Sequence, residues 1–151
     1  MNDKNTIGLT SGCWNLLHPG HLYFLNNCKK LCDKLIVLVA RDKITSQKRI
    51  PVINEEQRKY MLENLKCVDE VYFEDKELPP NNIIRFLEGF KPDFYITNSD
   101  NPYLKLYREI CNKLEIQIVV MERYTHDGIF NISTTSIIKE IIKQDKEKQN
   151  G

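Results

Sequence analysis

No stretch of the 151 residues approaches the roughly 20 consecutive apolar residues that a membrane span needs. Nor does the chain lean toward one charge. Its 22 Lys and Arg against 21 Asp and Glu leave a net charge of +1, which argues against broad electrostatic binding to nucleic acid or to an anionic membrane. Any anion must therefore be held locally. There is no Cys-x-x-Cys pair, and the five cysteines, at 13, 28, 32, 67 and 111, are odd in number, so neither a zinc site nor a secreted disulfide framework is indicated. Residues 1–5 are polar and carry no apolar signal region, so a cytoplasmic protein is expected. Internal repeats are absent, and the length suits one domain spanning residues 1–151. Its ordered core is expected over about 6–143, with the charged segment 144–151 fraying into solvent.

What is present is an alternation of short β-rich runs with helical patterns. Strands are read at 6–9, 34–40, 70–73, 93–97 and 117–121, and helices at about 21–32, 55–66, 81–89, 103–114 and 133–143. This predicts an α/β, Rossmann-like, doubly wound five-stranded parallel sheet, with its ligand crevice at the carboxyl ends of the strands. The loops at 12–21, 41–48, 98–101 and 122–133 follow those ends. Within the helices, Asn54 followed by Gln57 is a capping-box pattern, and Cys28 and Cys32 share an apolar face with Phe24 and Leu31.

Two imidazoles stand where the first strand turns into a helix, in Gly12-Cys-Trp-Asn-Leu-Leu-His-Pro-Gly-His21. Three residues apart in a first helical turn, His18 and His21 face the same way and can reach one ligand. Helix starts stabilise phosphate oxygens through unsatisfied amides and the dipole, and Gly12 and Gly20 let a ligand approach the backbone. Two histidines placed there can donate to charge that builds on phosphorus. Alone they could be surface residues or half of a metal site, but nothing nearby has metal-ligand spacing. A second hydroxyl-rich helix start, Ile132-Ser-Thr-Thr-Ser-Ile-Ile138, offers both an N-cap and phosphate contacts from Ser133, Thr134 and Thr135. Lys48 and Arg49 lie in a polar loop that could close over a triphosphate and neutralise it.

Together the two motifs resemble the cytidylyltransferase-like nucleotidyltransferases, over about residues 7–142. That family includes glycerol-3-phosphate cytidylyltransferase, archaeal FAD synthetase and the adenylyltransferase domain of ADP-heptose synthase. The resemblance implies that His18, His21, Lys48 and Arg49 are catalytic. It places the nucleotide against Gly12, Cys13, Trp14, Gly20, Asp100 and the segment Ile132, Ser133, Thr134, Thr135. It gives Asn15, Arg41, Asp42, Arg58, Lys66 and Arg123 to phosphates or the acceptor. Trp14 and Asn15 stand where the family usually carries Phe and Asp, and Asn98 where glycine is common.

The expected reaction is attack of an acceptor phosphate on the α-phosphorus of a nucleoside triphosphate, with pyrophosphate leaving. Magnesium would be carried mostly by the triphosphate, with no dedicated metal site in the protein. The stretches Gly12-Cys13, 51–58 and 133–138 are most similar to the ADP-heptose type, which favours ATP and a sugar 1-phosphate. The alternatives are CTP with a polyol or amino-alcohol phosphate, FMN adenylyl transfer, toward which Val39-Ala-Arg-Asp42 points, and a silent nucleotide-binding module. A homodimer without nucleic-acid or membrane partners is implied by the resemblance and the charge balance.

Overall fold

A computed structural model describes residues 5–46, 50–123, 128–129 and 131–150. Its centre is a parallel sheet in the order β3-β2-β1-β4-β5, built from β1 (Ile7–Gly12), β2 (Lys34–Val39), β3 (Glu70–Phe73), β4 (Phe94–Asn98) and β5 (Gln117–Met121). The chain steps outward from β1 to β3, returns to lay β4 beside β1, and then steps the other way. The order reverses between β1 and β4, and a doubly wound sheet opens its crevice at such a point. β2 is an almost continuous apolar run because both of its faces are covered.

The helices are α1 (Pro19–Lys29), α2 (Asp42–Thr45), α3 (Glu55–Glu63), α4 (Ile84–Phe90), α5 (Leu104–Lys113) and α6 (Thr134–Gln149). On one face Phe24, Leu25 and Cys28 of α1 and Leu62 of α3 bury against Leu35, Val37 and Val39. On the other, Phe86 and Leu87 of α4 and Tyr107 and Cys111 of α5 bury against Leu9, Ile36, Leu38 and Tyr95. Alternate residues of β2 thus feed opposite layers, as strand geometry requires. Among the described residues no helix is long and apolar enough to cross a membrane.

Several local expectations change. α1 begins at Pro19 rather than near residue 21, because His18 caps it and proline suits the first helical position. Leu31, placed on the apolar face of the first helix, is 41% exposed, and Tyr60 of α3 is 68% exposed. α2 interrupts what reads as a loop after β2. α6 continues through Gln149 where fraying was expected beyond 143, its side chains exposed there. A capping box at Ser133 and spaced pairs such as Gln144 to Glu140 and Gln149 to Asp145 support that extension.

Candidate active site

β1 ends at Gly12, and the chain enters α1 through a turn in which Trp14 and Leu16 adopt left-handed φ values of 53° and 50°. Side chains pay roughly 1–2 kcal/mol each for that conformation. Burial of Trp14, only 6% exposed, offsets it, and the indole Nε1–H donates to the Leu38 carbonyl at 2.9 Å. The ring lies so close to Gly12 that an added Cβ would stand 3.0 Å from it. The tryptophan in the motif is thus a core anchor that fixes the shape of the turn.

That turn sets both histidines. His18 is the N-cap of α1, and its Nδ1 accepts the Gly20 amide at 3.1 Å, while Nδ1 of His21 accepts the His18 amide at 3.3 Å. The rings stack with centroids 3.7 Å apart. With each Nδ1 engaged as an acceptor, the neutral imidazoles carry their protons on Nε2, so each keeps a donor. Burial, then the neighbouring His18, then Arg123 push the His21 pKa down to about 3, and burial followed by Arg123 lowers that of His18. Gly20 is required by crowding: a Cβ there would lie 2.9 Å from the His18 ring and 3.0 Å from the Ile132 carbonyl.

The Ile132 contact brings the start of α6 against the start of α1. Ser133 caps α6 by accepting the Ser136 amide at 3.1 Å, and the Thr134 hydroxyl donates to the Asn15 carbonyl at 2.6 Å. Two helix starts therefore open on one cavity of about 470 Å³: α1, whose first amides are bonded to His18, brings its dipole and the two imidazoles, and α6 brings its dipole and hydroxyls. His18, Gly20, His21, Arg123 and residues 132–135 line it. A second cavity, also about 470 Å³, adjoins it toward the ends of β2 and β3 and is lined by Gly12, Cys13, Asn15 and Asp100 among others. Trp14, His21, Arg123 and Thr134 line both. Asp100 and Arg123 form an ion pair at 3.1 Å across the rim. Donors aimed from two helix starts can hold phosphate oxygens in the first cavity, and His21 is placed to act on a phosphorus lying between the two.

Four residues expected at phosphates line neither cavity. Arg58 is 1% exposed and lies beneath the motif: it donates to the carbonyls of Cys13 and Ala40 and pairs with Asp42 at 2.7 Å. Asp42 and Glu55 exchange backbone and side-chain hydrogen bonds, and Arg41 pairs with Glu55 at 2.9 Å while stacking on Phe73. These charges join α2 to the start of α3. Lys66 is exposed in the turn before β3, at the amino end of that strand and so across the sheet from the crevice. Asn15, buried, accepts the Val52 amide at 3.2 Å through its side chain. Lys48 and Arg49 lie outside the described residues. Glu74, Asn82 and Tyr107, which no local sequence pattern singles out, line the second cavity.

The profile of the family described as cytidylyltransferase-like matches residues 9–140. The chain belongs to that family. Members similar to it include an FAD synthase of Archaeoglobus fulgidus, 37% identical over 137 residues covering 90% of this chain and 97% of the relative. Another, an FAD synthase of Ferroglobus placidus, is 34% identical over 135 residues covering 89% and 86%. Among solved structures, the lipopolysaccharide core biosynthesis protein of Thermoplasma volcanium GSS1 superposes with a TM-score of 0.67 at 28% identity, covering 82% of this chain and 99% of that one. As a member of the family the chain is a nucleotidyltransferase, acting on a nucleoside triphosphate and a phosphorylated acceptor.

Proposed function

We propose that this nucleotidyltransferase moves AMP from ATP to the phosphate of FMN, releasing pyrophosphate. The observation that carries a two-substrate transfer is His21 lining both cavities, one suited to a triphosphate and the other open to an acceptor. The choice of acceptor rests on the FAD synthase relatives, which align over nearly their whole length. This ranks flavin above the sugar 1-phosphate that the motif stretches favour. The sugar phosphate stays as the second reading because of the likeness to the lipopolysaccharide core biosynthesis protein.

In this mechanism a phosphate oxygen of the acceptor forms a bond to the α-phosphorus as the bond to the pyrophosphate oxygen breaks. The Nε2–H groups of His18 and His21 donate to the charge that grows on the α-phosphoryl oxygens, and the starts of α1 and α6 hold the remaining phosphates. Neutral imidazoles remain donors through Nε2–H without needing a second proton. Arg123 and the loop bearing Lys48 and Arg49 supply positive charge. Magnesium would enter with ATP, held mostly by triphosphate oxygens: the first cavity is lined by imidazole, hydroxyl and amide groups and the Arg123 guanidinium, which suit oxyanions, with Glu122 as its one carboxylate. A homodimer is expected and is checked by light scattering.

Pyrophosphate release measured with ATP and CTP against FMN, sugar 1-phosphates and polyol phosphates tests the reading. ATP with FMN is expected to turn over fastest. Turnover of a sugar 1-phosphate with none of FMN would replace it with the second reading.

A further inference from the structure

Asn82 follows a proline pair in a short 3-10 turn, Asn81–Ile83, and is 2% exposed. It lines the second cavity, and its Oδ1 has no hydrogen-bond partner among the described residues. An unpaired buried carbonyl costs about 1–3 kcal/mol, so its presence in a cavity wall points to a ligand donor. Its orientation is fixed, because Nδ2 donates to Oε2 of Glu74. Glu74, immediately after β3 and 3% exposed, lines the same cavity. The sides of that cavity include Ile44, Leu78, Pro79, Pro102 and Tyr103, which offer apolar surface to a flat ring.

We propose that Asn82 and Glu74 form the floor of the acceptor subsite and read an imide edge, an N–H flanked by carbonyls, on a planar acceptor ring. This rests on the flavin reading, whose pyrimidine ring carries such an edge. Asn82 Oδ1 accepts the ring N3–H, and the Glu74 carboxyl, in its protonated form, donates to an adjacent ring carbonyl. Burial raises the Glu74 pKa to about 7 against smaller lowering by Asn82 and by Arg58, so the donor form is available at neutral pH. The groups facing it are Asn82, Arg58 of α3, Tyr95 of β4 and Tyr107 of α5, and the Arg58 guanidinium already serves Cys13, Ala40 and Asp42. The acceptor phosphate would then point toward His21, where this cavity meets the first.

Steady-state kinetics with FMN and with N3-methyl-FMN test this on the unaltered protein. The methyl group removes the donor, and KM is expected to rise at least about tenfold while KM for ATP stays within about twofold. In Asn82→Leu, KM for FMN should rise by a similar factor and the preference for FMN over its N3-methyl form should vanish. In the unaltered enzyme KM for FMN should climb as pH passes about 7, whereas Glu74→Gln, which always keeps a donor, should flatten that climb. Equal use of both flavins by the unaltered enzyme overturns the subsite while leaving FMN as the acceptor. No turnover of FMN, with turnover of another phosphorylated acceptor, overturns both.

Discussion

His21 divides its two nitrogens between structure and chemistry. Nδ1 closes the cap on α1 by accepting the His18 amide, and this leaves Nε2–H as the donor offered to a phosphate. In the ligand-free protein both imidazoles are therefore expected in the Nε2-protonated neutral form, with His21 remaining so well below pH 5. Long-range proton–nitrogen correlation spectra report the tautomer directly, and a His21 titration midpoint near 6.5 would contradict this placement. His21→Ala should lower kcat by about 10²–10³ with little change in fold, measured by pyrophosphate release and circular dichroism; near-normal kcat would remove the histidine from the reaction. At this scale the sequence was informative where chemistry is local. His18, Gly20, His21, Ser133 and Thr134 each sit in short patterns whose spacing already implies a helix start. Glu74 and Asn82 come together only through the course of the chain after β3, and no local pattern marks an asparagine whose carbonyl will be buried without a partner.

Among the elements, the join between α2 and α3 shows why basic residues near a phosphate loop can have a different task. Arg58 was expected to bind phosphate because family resemblance places a basic residue there, yet it faces inward, under the turn between β1 and α1. Hydrophobic periodicity could not reveal this, since the interior position on α3 is filled by a guanidinium while Tyr60 is left at the surface. Arg58→Met keeps the stem but abandons the carbonyls of Cys13 and Ala40 and the Asp42 carboxylate. It should destabilise the protein by about 2 kcal/mol, read as a lower urea midpoint. A phosphate-binding arginine behaves differently: its loss would raise KM for nucleotide and leave the midpoint unchanged. The strands themselves were legible, because apolar runs separated by helical patterns leave few other architectures. Helix ends were less so: α1 starts earlier because a histidine acts as its cap, which propensity does not anticipate, and α6 is lengthened by side-chain pairs on a fully solvated turn.

Across the whole molecule, a net charge of +1 and two buried titrating sites of opposite sense make stability respond to pH in separable windows. His21 has a folded pKa of about 3, below its ordinary 6.5, so its contribution is complete above pH 6.5 and declines as pH falls toward 3. Glu74 is raised from 4.5 to about 7, so the stability its protonated form contributes is complete below pH 4.5 and is lost as pH rises through about 7. Between pH 4.5 and 6.5 the two trends oppose one another and the curve is flattened. Glu74→Gln removes only the second trend. Relative to the unaltered protein, the variant should therefore gain stability steadily from pH 4.5 to about 7 and hold a constant difference above it, the gain being on the order of 2–3 kcal/mol. Urea unfolding at pH 5 and pH 8 measures it, because any fixed cost of replacing carboxyl by amide cancels between the two conditions. A difference that does not change between these pH values would mean that Glu74 titrates alike in the folded and unfolded chains, and that its burial against Asn82 leaves its proton unaffected.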